Sequence, residues 1–398
     1  MKRIGANTNA GVRHGFVARP IFRVKAWFAS MAAIAIALSS SARQAHGAEY
    51  DWSGGVEGWN TDNWSGGAPN AEADQTGNIN SNDIVYAVAN TEFAGRLNLN
   101  AGGTLRFNQN NGAGPICTNL HANGGMFQPW AGNASLQGRI IVNALSFLAS
   151  GNTGIESEIV GAADLRKTGS GTWSACRWDA SAWAGRLIIS EGTVRVRNHA
   201  SINLGTHEIV IAPGCEWALW TPPSGGWKIR NSFLGNGRIS TIGSAALTLQ
   251  GATLRPGDTA DGPAVGTLNV RNNENYNLSL VFDLNGTNRC HIAIDVTGDS
   301  GVAGVDYDQL FADHAGAYTQ HIALGEGKTD LSVHFHGKLN LKGQTLTVVK
   351  ADNGTLTGAF ETVTLTPSDW RATVNYNDDS VTLTDVFRIV RGTVILFQ

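Results

Sequence analysis

Residues 165–196 read LRKTGSGTWSACRWDASAWAGRLIISEGTVRV. Leu187 and Ile189, then Val194 and Val196, are apolar at spacing two, the mark of short strands with one buried face. Gly169, Gly171, Gly185 and Gly192 punctuate them as turns. Strands this short are unstable alone, and a coil built from them buries its apolar face only by stacking on a similar coil. The stretch is therefore read as one turn of an all-β solenoid, and the rest of the chain is expected to supply more coils of roughly 20 to 30 residues each.

Its residues also resemble a known repeat. Leu165, Lys167-Thr168-Gly169, Gly171-Thr172, Trp183 and Gly185, then Leu187, Ile189 and Gly192-Thr193-Val194 are similar to the autotransporter-associated beta-strand repeat, with its pattern L-x-K-x-G-x-G-T-L-x-L, aromatic-x-G, strand, Gly-Thr-Leu, strand. Trp173 stands where that pattern has Leu, and Cys176 to Asp179 depart from its usual run. Downstream, Gly235-Asn236-Gly237, Leu254-Arg255-Pro256-Gly257-Asp258 and Gly266-Thr267-Leu268 resemble the closing pattern in the same order. The resemblance implies an all-β, right-handed parallel β-helix with capped ends, of the autotransporter passenger type without a translocation barrel. Such a barrel needs eight or more amphipathic strands of ~10 residues.

Both ends read as caps. Tyr50 to Asn70 sets Trp52, Trp59 and Trp64 among Gly, Asn and Ser; large aromatics folded over a first coil cover an open sheet edge, with exposed carbohydrate stacking as the alternative. From Asp83 onward short strands succeed one another, among them Leu97–Leu99, Thr104–Phe107, Arg139–Leu148, Ile209–Ile211, Leu278–Phe282, His291–Ile294, Leu331–Phe335 and Leu346–Val349. Thr221 to Trp227, with two prolines, and Gly112 to Trp130 are expected to be projecting loops. The tail, 387–398, is apolar enough to close the stack or to mediate self-association.

Residues 1–47 read as a signal peptide: Arg3, Arg13, Arg19, Arg23 and Lys25 precede the apolar run Ala26 to Leu38, and Ala45-His46-Gly47 offers small residues for cleavage. The domain reading is thus a leader at 1–47, a solenoid at 48–386 and a tail at 387–398, in a secreted, cell-surface or periplasmic protein with no membrane-spanning segment in the mature chain. With 29 Lys and Arg against 32 Asp and Glu, a net charge of -3, the composition argues against nucleic acid as a partner. Four cysteines, Cys117, Cys176, Cys215 and Cys290, permit two disulfides in an exported chain or serve as small buried hydrophobes. No Cys or His spacing suggests a metal, and no cofactor motif is present.

Strand solenoids also house polysaccharide lyases and glycosidases, so paired acids and bases are the catalytic candidates. Asp306 and Asp308, two apart, and His334 and His336, two apart, would each face one side of a strand. Asp258 and Asp261, beside a Pro-Gly corner, could meet a cation or cap their own turn. The aromatic content points to binding instead: Trp178, Trp217, Trp220 and Trp227 fall on adjacent coils, where aligned indoles could stack on sugar rings or simply fill the core. These readings converge on an exported adhesion, binding or structural protein with a polysaccharide or cell-surface glycan as partner. The alternative is a polysaccharide-active enzyme on the same scaffold.

Overall fold

The computed structural model describes residues 49–52, 56–58, 64, 74–87, 92–108, 115–131, 135–149, 154–175, 178–197, 203–243, 246–273, 276–313 and 318–389. The leader expected at 1–47, Trp59, Cys176 and residues 390–398 of the tail lie outside them. The described chain is all-β: its strands form sheets of sixteen, thirteen and five members, and every ladder between strands is parallel until the last two. Sheet neighbours are non-consecutive in sequence, because each turn of the chain adds one strand to each face and then repeats one coil higher. This is the expected parallel β-helix.

Side-chain alternation drives the coiling. In Thr193–Arg197, Val194 and Val196 are buried and Arg197 is exposed, and in Leu278–Asp283 every second residue is buried. Stacking puts like on like: Trp173 pairs in register with Val194, which pairs with Trp217, so one continuous apolar column forms through the coils. The repeat is not uniform. Thr172 pairs with Thr193, a coil of 21 residues, whereas Leu278 pairs with Gln320, a coil of 42. The lengthening follows the arrival of a third face, which begins at Trp227–Ile229 and adds a strand to each later coil.

Two expected loops are corrected here. Most of the Gly112 to Trp130 stretch is strand, Ile116–Asn123 followed by Met126–Ala131, because its apolar residues continue the two sheets. Trp227 does not project with the preceding prolines but is buried as the first residue of the third sheet.

The alternation also fails where a loop covers the outside. Leu187–Ile189 is buried at all three positions, because Ile188, Val210 and Leu234 form a second small apolar cluster on the outer face, with Ala260 packed over it. The turn at Thr259 to Gly262 that carries Ala260 closes on itself through reciprocal backbone bonds, and Arg186, paired with Asp164 at 2.8 Å, holds it through a 3.0 Å bond to the Ala260 carbonyl.

At the start of the stack Trp52 and Trp64 meet edge to face at 5.1 Å, both buried, as a cap requires. At the other end the closing element is an antiparallel hairpin, Trp370–Tyr376 and Ser380–Arg388, laid on Leu346–Ala351; Trp370 stacks on Phe335 at 4.4 Å. The expected tail boundary at 387 therefore falls inside a strand. Phe387 is 53% exposed, so other residues of the hairpin, such as Trp370, cover the last coil. Cys117, Cys215 and Cys290 are buried free thiols, which removes the two-disulfide alternative; burial pushes the Cys117 thiol up to about 12.

Gly192 shows how tightly the corners stack. Its φ is +69° and a Cβ there would sit 2.4 Å from the Gly171 carbonyl oxygen of the coil below. Gly192→Ala is expected to lower stability by about 2 kcal/mol, combining the left-handed backbone cost with displacement of the neighbouring corner. Denaturant unfolding measures this, and an unchanged midpoint would contradict the corner packing.

Candidate functional site

The two carboxylates nominated for catalysis do not converge. Asp306 accepts hydrogen bonds from the Ser300 hydroxyl and, at 2.8 Å, from the Val302 amide, so it closes the loop that precedes it; these donors hold its carboxyl below the usual range. Asp308 is buried and turned elsewhere, with one oxygen accepting from the Gly266 amide at 2.8 Å and the other from the Asp295 amide at 2.7 Å. Burial pushes Asp308 up to about 8; Asp295 and Asp258 push the same way, and the two amides oppose them. Both residues tie backbone rather than share a reactive site. The spacing of two implied one strand face, but Asp306 and Asp308 precede the strand Gln309–Asp313 and follow loop geometry.

His334 and His336 do come together, around an acid the sequence reading left out. Register sets Asp295 opposite His334, and the Asp295 Oδ1 lies 2.6 Å from His336 Nε2 and 3.7 Å from His334 Nδ1. Both imidazoles are exposed while Asp295 is mostly covered. On the same strands His291 pairs with Asp330, and Arg289 reaches Asp330 at 3.9 Å and Glu361 at 3.5 Å, lining an open cleft. Asp295 and His336 thus form a hydrogen-bonded carboxylate–imidazole pair on this face, an arrangement of the kind general acid-base chemistry uses. Among the described residues no group of three His, Cys, Asp or Glu is arranged to hold a metal ion. Asp258 is half-buried and raised, chiefly by burial, and the corner it shares with Asp261 is the root of the loop over Ile188.

The aromatic column lies inside. Trp178, Trp217 and Trp227 are buried, as are Trp173 and Trp183. An indole at an inward position fills the space between sheets, and neighbouring rings pack against it: Trp217 lies 4.9 Å from Phe233, and His207 is stacked on Trp178 at 6.1 Å and meets Trp183 at 4.5 Å. Trp178 and Trp217 are therefore core residues with no face for a sugar, while Trp227, though buried in the third sheet, lines the cleft beside it. Trp220 alone is half-exposed, and the Arg195 guanidinium lies over its ring at 3.7 Å.

An ordered polar array on the outer face of the first sheet went unread. Asn98 donates to Asn78 at 2.7 Å and Asn78 to Asp51 at 3.0 Å. Two residues along, Asn143 donates to Asn123 at 3.0 Å, Asn123 to Asn100 at 3.1 Å and Asn100 to Asn80 at 2.9 Å. The signal was present: asparagines 20 to 23 residues apart, the length of one coil. Within the ladder, Asn100 and Asn123 each use one N–H and one lone pair and keep a second donor and acceptor, whereas Asn143 also contacts His121 and Asn98 also accepts from Arg96. Successive side chains stand one strand spacing apart, roughly 4.8 Å.

No helix among the described residues is long and apolar enough to cross a membrane. Compared with known proteins, the chain matches no protein-family model and no curated protein.

Proposed function

We propose that the chain is an exported binding protein that presents the outer faces of its solenoid to extended glycans. The carrying observation is the paired asparagine ladder, which offers donors and acceptors at regular spacing along a rigid face, a surface suited to hydroxyl-rich ligands and not to an apolar partner. The resemblance of residues 165–196 to the autotransporter-associated repeat supports the same reading, as does the leader-like start of the sequence. Affinity would come from many weak contacts along the stack. A panel of plant, algal and bacterial polysaccharides, tested by affinity electrophoresis with the folded protein, is expected to show retardation without released oligosaccharides. No retardation by any member would remove the proposal.

The second reading, a polysaccharide-cleaving enzyme, is favoured by Asp295 between His334 and His336. If it holds, mass spectrometry of the same incubations detects oligosaccharides, and Asp295→Asn abolishes them.

A further inference from the structure

The change from two faces to three leaves a step on the surface. Trp227–Ile229 is the first strand of the third sheet, and among the described residues the coil below provides no strand to pair with it. Between them opens a cleft of about 240 Å³ lined by Asn203, Leu204, Trp227, Lys228, Arg230 and Gln250. Lys228 and Arg230 are exposed at its rim. On the adjoining face of the same two coils Arg197 stands in register with Trp220, and Arg195 lies over that ring. None of these four cations forms an ion pair among the described residues.

The acids on these coils leave a surplus of positive charge: Glu216 offsets part of the charge on Arg195, and Glu208 faces another cation. Glu208 lies 3.8 Å from Arg255, and Glu216 accepts from Asn273 and Thr193. The step is thus locally positive on a chain whose net charge is -3. A local positive site on a weakly negative body selects a ligand with sparse negative charge and disfavours a polymer with one phosphate per ~1.7 Å of axis. The Asn203 and Gln250 amides add hydrogen-bonding groups suited to ring hydroxyls.

We propose that this step binds a carboxylate-bearing sugar of an acidic polysaccharide, with Lys228 and Arg230 meeting the carboxylate and Asn203 and Gln250 the hydroxyls. Arg195, held by Trp220, and Arg197 meet the next acidic unit along the chain. The inference rests on the glycan-binding reading and narrows it to uronate-type polymers.

Affinity electrophoresis of the full chain through polygalacturonate and alginate tests it, with fully methyl-esterified polygalacturonate as the uncharged counterpart and double-stranded DNA as the competing polyanion. The expected result is retardation by both acidic polymers, weakened at least roughly tenfold by esterification and by Lys228→Ala/Arg230→Ala, and falling as salt is raised. Circular dichroism and melting of the variant establish that it is folded. Arg197→Ala, on an exposed side chain, gives a second variant and is expected to weaken binding in the same direction. Equal binding of the esterified polymer, variants with unchanged affinity, or tighter binding of DNA would each overturn the inference. Retardation by neutral glycans alone would overturn it while leaving the glycan reading in place, and no retardation by any polysaccharide would remove both.

Discussion

Lys167→Ala is expected to lower the unfolding free energy by about 5 kcal/mol, the largest effect of any single substitution considered for this chain. Lys167 ends the strand Leu165–Lys167 with its side chain fully buried, an unusual place for an ammonium. Its Nζ donates to the carbonyls of Thr168 at 2.8 Å, Gly169 at 2.6 Å and Glu191 at 3.1 Å, so all three protons are used and two successive corners are joined. The Glu191 carboxylate completes the staple by accepting from the Gly169 amide at 2.8 Å. Burial pulls the lysine down to about 8, with Glu191 and Cys215 opposing. Alanine would orphan three carbonyls, at roughly 1–3 kcal/mol each, and leave a cavity. Lys167→Met fills the volume without the donors and removes the cost of a buried charge, so a loss of about 3 kcal/mol is expected. Urea unfolding of both variants checks this, and a methionine variant as stable as the parent would show that packing alone matters at the corner.

The second large effect is a dependence on pH in which two buried groups oppose each other. His207, stacked on Trp178 and in contact with Trp183, is pulled down to about 3 by burial, against an ordinary value of 6.5. Between those values the unfolded chain holds a proton that the folded chain does not, so His207 makes stability rise with pH from about 3 to 6.5. Asp308, raised to about 8 from 3.8, does the reverse: its contribution is fully present below the unfolded value and is lost as pH rises to 8. The slopes cancel between about 4 and 6.5, and the parent protein is expected to show a plateau there, falling off on both sides. His207→Phe should remove one slope, so that stability drops by about 3 kcal/mol between pH 4 and 6.5. Asp308→Asn should instead leave stability rising by a similar amount over that interval, from a lower baseline because its amide cannot accept from both backbone donors. Unfolding free energies of the three proteins at four pH values provide the measurement. Parallel curves for parent and His207→Phe would mean that the imidazole is protonated in the folded state.

Lys167 and the glycines around it were legible as pattern before they were understood as contacts. Repeated Gly-Thr corners and a lysine two residues after a leucine mark a coil, because corners that stack backbone on backbone restrict residue type at each level. The asparagine ladder was equally present as a spacing of one coil, but it becomes visible only when the register is known, since coil lengths vary from 19 residues, as between Ser135 and Gly154, to 42. His207 gave no signal at all: one histidine in a turn-rich stretch acquires its surroundings from indoles on other segments.

From local chemistry alone the chain determines its strands, its corners and hence its parallel coiling, because period-two alternation and glycine placement act over a few residues at a time. Whether a given side chain faces core or ligand is decided between coils. Period two puts Trp217 and Trp227 on one face of their strands without saying which face is inside, and only the stacked register buries them and leaves Trp220 outside under Arg195. The same holds for charge. Asp306 and Asp308 looked paired in sequence but bind different backbone groups, while Asp295 meets His336 across a gap of 41 residues that is a single strand spacing in the fold.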